Sequence, residues 1–181
     1  MPLFLAVNRG AALLLFAVAA VLFRLATLAV SIRNEKRLKG AGAVELGAAN
    51  SRLLAVAHTA FYLAAIAEGS LRGAAFDWIS AAGLAIYAFG MISLLLVLRA
   101  LGPQWTVKLI LSLEHRLVSG GIYRYARHPN YVLNILPELI GFALAMHGFV
   151  TLLAGLPFYC VLLWRRVRQE EDAMKEKFSA Y

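Results

Sequence analysis

The chain has 181 residues, 61% of them hydrophobic, and a formal net charge of +8. Soluble domains hold about 45–50% apolar residues, so one small aqueous core cannot hide this excess, and lipid is the alternative solvent. The basic charge lies between apolar runs, where flanking of membrane helices explains it without nucleic acid; the single cysteine, Cys160, excludes an intrachain disulfide and a four-cysteine zinc site.

Residues 10–32 form the first apolar run. It is longer than the core of a signal peptide, about 7–15 residues, and has no clear cleavage site, so it reads as a first membrane span. A basic loop follows, carrying Arg33, Lys36, Arg37, Lys39 and Arg52. Residues 53–71 form a second span, which ends in a polar connection with Arg72 and Asp77. Residues 78–98 form a third. The longest non-apolar stretch, 99–130, holds Arg99, Lys108, Arg116, Arg124 and Arg127. Spans four (131–147) and five (149–164) are joined so tightly at Met146-His147-Gly148 that they form a hairpin. Pro137 and Pro157 lie inside them and bend each helix, which neighbouring helices can compensate. The tail, 165–181, is charged and rich in helix formers, without Gly or Pro.

Most of the 18 Lys and Arg residues fall in the first loop, the third loop and the tail. That asymmetry places the N-terminus outside and the C-terminus in the cytoplasm. The fold expected is an all-α integral membrane protein of about five transmembrane helices, with a C-terminal hairpin and a cytoplasmic cofactor site. Residues 1–181 read as one domain. Residues 1–99 shape the substrate side, and 100–181 supply the cofactor-binding loop, hairpin and tail.

Four polar residues lie within the spans: Arg24, His58, Glu68 and Glu138. Such groups are costly in lipid and face the protein interior. They pair within the bundle or touch a substrate, and Arg24 lies near enough to a membrane face to snorkel. His58 has no partner at metal-ligand spacing, so no metal site is expected.

Soluble cofactor motifs are absent: there is no GxGxxG, GxxxxGK[ST], HExxH or CxxC. The densest polar cluster runs from Gly120 to Tyr131, immediately before span four. Pro129 favours a helix start, which places His128 at a helix entrance where free N–H groups attract anions. The plainer reading is a basic loop with interfacial tyrosines. A second cluster, Arg165-Arg166-Val167-Arg168-Gln169-Glu170-Glu171, follows span five. Arg166 and Glu170 share a helix face, and the plainer reading is an exposed ion pair worth a few tenths of a kcal/mol. The hairpin returns the chain to the side it left, so the two clusters can converge on one pocket beside lipid.

Gly121-Ile122-Tyr123-Arg124-Tyr125-Ala126-Arg127-His128-Pro129-Asn130-Tyr131, followed by a hydrophobic hairpin and Arg166-Val167-Arg168-Gln169-Glu170-Glu171, resembles the isoprenylcysteine carboxyl methyltransferase family. Met174 stands where leucine is often seen after the paired glutamates. The first half, with Ser31-Ile32-Arg33-Asn34 and Gly42-Ala43-Val44-Glu45-Leu46-Gly47, resembles a bacterial branch associated with methylating alkylpyrones or alkylresorcinols. The resemblance implies S-adenosyl-L-methionine as cofactor, with Tyr123, Arg127, His128, Pro129, Tyr131 and Glu170 at its site and Glu170 holding its amino group. It implies catalytic roles for Arg166, His128 and Glu170, and places Arg166, Arg33 and Asn34 at the substrate. The acceptor is an oxygen, of a carboxylate, enol or phenol, on a lipophilic or lipid-modified substrate. A carboxylate needs no base, whereas an enol or phenol must lose a proton, which His128 could accept. Two other readings stand beside this one: a membrane reductase using NADPH, since some sterol reductases have a similar hairpin, and a non-enzymatic membrane protein.

Overall fold

A backbone in lipid must satisfy its own hydrogen bonds, so the apolar runs fold as helices. A computed structural model of the protein describes residues 2–111 and 120–177. Among the described residues five α-helices follow in order: α1 (Pro2–Gly40), α2 (Ala48–Leu71), α3 (Trp78–Leu101), α4 (Leu136–Ala145) and α5 (Leu156–Lys177). Among the described residues, three helical stretches are long and apolar enough to cross a membrane: Gly10–Gly40, Ala48–Leu71 and Trp78–Gln104. They coincide with the first three expected spans. The fourth apolar stretch, Asn130–Ala145, is shorter.

Helix α1 runs past the expected span end to Gly40, so Arg33, Lys36, Arg37 and Lys39 lie on a helix rather than in a loop. No Gly or Pro interrupts this segment. Arg37 and Lys39 sit in its last turn, where cations favour the helix dipole. Arg116, counted with the third basic loop, lies outside the described residues.

A short ribbon departs from the all-α expectation. Strand β1 (Val44–Leu46) pairs antiparallel with β2 (Leu109–Leu111), with Glu45 opposite Ile110. Each strand is three residues long, too short for its own pattern to betray it, and its partner is remote in sequence. Lys39 and Lys108 clasp the ribbon to α1, at 2.6 and 3.5 Å from Glu45 and each 2.7 Å from Glu35.

Helices α3 and α4 pack most intimately. A Cβ at Gly141 would lie 2.3 Å from the Tyr87 backbone nitrogen, and one at Gly83 would lie 2.3 Å from that of Ala145. A Cβ at Gly90 would meet Asn134 and Glu138 backbone at 3.0 Å. Lipid provides no hydrophobic drive between helices, so close backbone approach at small residues holds them together. Gly83 and Gly90 therefore form a seam between α3 and α4.

The two prolines act alike. A π-helical turn, Asn130–Ile135, precedes Leu136-Pro137, and another, Thr151–Gly155, precedes Leu156-Pro157. Proline has no N–H and its ring clashes with the carbonyl four residues back, so the preceding turn widens. Between them the chain reverses at His147, whose φ of 56° is left-handed. Glu68 of α2 caps the returning helix, accepting from the Val150 and Thr151 N–H groups, both at 2.9 Å. Its role is structural pairing.

Substitution Gly141→Leu is expected to prevent recovery of monodisperse protein in detergent. Gly40→Ala, at an open position, should leave the thermal midpoint almost unchanged. Size-exclusion profiles and thermal unfolding of both variants check this.

Candidate active site

The Gly120-Gly121 pair turns the chain into a short 3-10 turn, Gly121–Arg124, with Gly121 at φ 62°. The chain then reaches His128-Pro129. The His128 carbonyl accepts from the N–H groups of Tyr131 at 3.0 Å and Val132 at 3.1 Å, so it heads the following turn. Pro129 is buried behind it. The widened turn carries Tyr131 inward to meet α5.

The Tyr131 hydroxyl is the junction of the site. It donates to Glu170 Oε2 at 2.5 Å and accepts from Arg166 Nε at 3.2 Å. Arg166 is buried, only 3% exposed. Its remaining donors reach Ser51 Oγ on α2 at 2.7 Å and the Val107 carbonyl at 3.1 Å. The expected link between Arg166 and Glu170 thus runs through Tyr131. The His128 ring stacks on Tyr131, with centroids 5.7 Å apart, and its nitrogens lie 3.8 Å from Glu170 and 3.4 Å from Glu171.

Charge in this cluster is balanced locally. Burial pulls the His128 imidazole down, but Glu170 and Glu171 outweigh it and hold its pKa above the ordinary histidine value. Burial pushes the Glu170 carboxyl up, and His128, Tyr131 and Arg166 together hold it below the ordinary carboxylate value. Burial also raises the Tyr123 phenol, reinforced by the nearby Glu170 charge.

A cavity of about 310 Å³ opens on the other side of Tyr131 and Arg166. Leu25 and Leu28 of α1 and Leu63 of α2 line it while remaining exposed on the outer surface, so it opens sideways between these helices. Trp105, Val107 and Arg166 also line it. Further along lie Arg24, His58, Tyr62, Asn134 and Tyr159. Arg24 pairs with Glu138 of α4, which is fully buried; Tyr62 donates to the same carboxylate at 2.6 Å, and His58 Nε2 lies 3.3 Å from it.

Residues 83–176 match the isoprenylcysteine carboxyl methyltransferase (ICMT) family. A Haemophilus influenzae protein, described only as uncharacterized, is 44% identical over 155 residues, covering 86% of this chain and 90% of its own. The uncharacterized protein YpbQ of Bacillus subtilis is 32% identical over 155 residues, covering 84% of this chain and 90% of its own. No solved structure matches. The chain belongs to the isoprenylcysteine carboxyl methyltransferase family. Methyl transfer at a membrane is the activity this membership indicates.

In this member of the ICMT family, Tyr123, His128, Pro129, Tyr131, Arg166 and Glu170 gather at one end of the helices. Arg124 and Arg127 are exposed on the same loop. Arg33 is exposed on α1 and does not line the cavity. Asn34 donates to the carbonyls of Gly102 at 3.3 Å and Trp105 at 2.9 Å, so it acts on the cavity by holding Trp105. Sequence reasoning missed Ser51, Trp105, Val107, Asn134 and Tyr159. Ser51, Asn134 and Tyr159 carried a signal, being polar groups within or beside apolar runs; Val107 contributes only backbone and carried none.

A histidine whose native pKa is raised stabilises the fold fully below its unfolded pKa, near 6.5, and loses that contribution as pH rises through the native value. The thermal midpoint should therefore fall as pH rises above about 6.5. His128→Gln should flatten this dependence, which a Tm series in buffers of constant ionic strength measures.

Proposed function

We propose that the protein transfers a methyl group from S-adenosyl-L-methionine to an oxygen of a lipophilic substrate at the cytoplasmic membrane face. The observation that carries this reading is the Tyr131 hydroxyl, shared between a partly exposed carboxylate, Glu170, and the buried guanidinium of Arg166 at the head of a lipid-facing cavity. One side suits a charged cofactor and the other an amphiphile. Five membrane passes, with the C-terminus cytoplasmic, accord with the clustering of basic residues at this end.

The residues on the Glu170 side fit the cofactor. Glu170 keeps 30% of its side chain exposed, and among the described residues its Oε1 is approached by His128 at 3.8 Å, so an ammonium group finds an acceptor. The His128 Nδ1 is buried without a hydrogen-bond partner among the described residues. Arg127 stands at the rim for an anionic group. When bound, S-adenosylmethionine supplies a methyl group already activated on sulfur, so alignment and exclusion of water are the main demands. Trp105 and the apolar cavity wall keep water out. Arg166, held from three sides, orients the acceptor's oxygen. His128 lies outside the cavity lining, so it acts on the cofactor side by holding Glu170 and Tyr131 in place. Asn34 supports the substrate wall through Trp105.

Isothermal titration should show S-adenosylhomocysteine binding and no NADPH binding. Glu170→Gln is expected to weaken S-adenosylhomocysteine by about tenfold or more, the worth of a charge-assisted hydrogen bond. Arg166→Lys should keep that affinity yet lower methylation of a host lipid extract, with labelled S-adenosylmethionine, by about a hundredfold. NADPH binding, or normal turnover in both variants, would refute the assignment.

A further inference from the structure

The Arg24–His58–Glu138 cluster is more elaborate than charge balance requires. Glu138 has no exposure, whereas the Arg24 and His58 side chains keep 20% and 19%, and both residues line the cavity. A guanidinium has five N–H donors. Glu138 engages Nε and Nη2, leaving the Nη1 donors free of it. The Asn134 Oδ1, also on a cavity-lining residue that is only 1% exposed, has no hydrogen-bond partner among the described residues. An unmet amide oxygen in an apolar cavity is costly, and a ligand hydroxyl that donates to it would relieve it.

We propose that this cluster, with Asn134, is a second polar subsite, which receives a hydroxyl group lying further down the substrate than the group held at Arg166. The proposal rests on the reading of the cavity as a site for an amphiphile. Tyr159, which contacts His58 at 3.3 Å, and Arg166 are seven residues apart on α5. At helical rise that is about 10 Å. The two stations are thus stacked along the cavity, and the substrate class is a long-chain amphiphile with an acidic head and a second oxygen function below it. A simple fatty acid meets only the first station.

The test uses the full chain in lipid nanodiscs with S-adenosylhomocysteine bound. Radiolabelled hexadecanoic acid is compared with derivatives carrying a hydroxyl at the third, sixth or ninth carbon. One hydroxy acid is expected to bind about tenfold tighter than the parent. The gain should vanish in His58→Phe and in the paired variant Arg24→Gln with Glu138→Gln, which leaves no orphaned charge. S-adenosylhomocysteine affinity reports that the variants fold. Independently of any variant, a diazirine beside the favoured hydroxyl should label the wild-type peptides containing Arg24 or His58. No gain at any position, a gain that survives both variants, or labelling elsewhere overturns the subsite. Methyl transfer is read separately: a hydroxyl-dependent gain without transfer removes the methyltransferase reading and keeps the subsite, while transfer without that gain does the reverse.

Discussion

Glu138 has no exposed surface and lies on the shortest helix, among apolar neighbours. A lone carboxylate in such a place costs several kcal/mol, so its partners must come from other helices. Arg24 arrives from α1, and His58 and Tyr62 arrive from α2. Their positions fix the depth and rotation of two helices against a third. Helix α1 depends on this most. Its apolar surface is as well satisfied by lipid as by protein, so polar contacts must seat it. Besides Arg24, Ser31 accepts from the Val107 N–H at 2.8 Å and Asn34 grips the carbonyls near Trp105.

The glycine seam works with this charged tie. With α3 and α4 in backbone contact, the widened turn before Pro137 points Tyr131 toward α5. Glu68 and the reversal at His147 bring α5 back beside it. Arg166 and Glu170 then reach the two sides of a single hydroxyl. The site is the consequence of a hairpin whose two helices are both widened just before a proline.

The family match spans residues 83–176, which takes in most of α3, the His128–Tyr131 turn, the hairpin and nearly all of α5. All residues on the Glu170 side lie there. The cavity's other wall comes from α1 and α2, outside that match, although the two relatives cover most of the chain. The Glu170-side groups and the cavity wall are thus carried by different parts of one chain, joined at Arg166 by its bond to Ser51.

Composition and hydropathy alone determined that the chain is helical and belongs in a membrane, because an apolar backbone in lipid has few other choices. The short motifs around His128 and Glu170 carried the resemblance to the family, and the match over residues 83–176 bears it out. Three matters were settled only by tertiary structure. The basic segment after residue 32 extends α1, because packing against residues 102–107 continues the helix past its apolar run. The β1–β2 ribbon forms between segments far apart in sequence, where no local pattern announces it. Arg166 bonds Tyr131, Ser51 and the Val107 carbonyl rather than Glu170 directly, because spacing along one helix reveals only the neighbours on that helix, and these partners come from other elements.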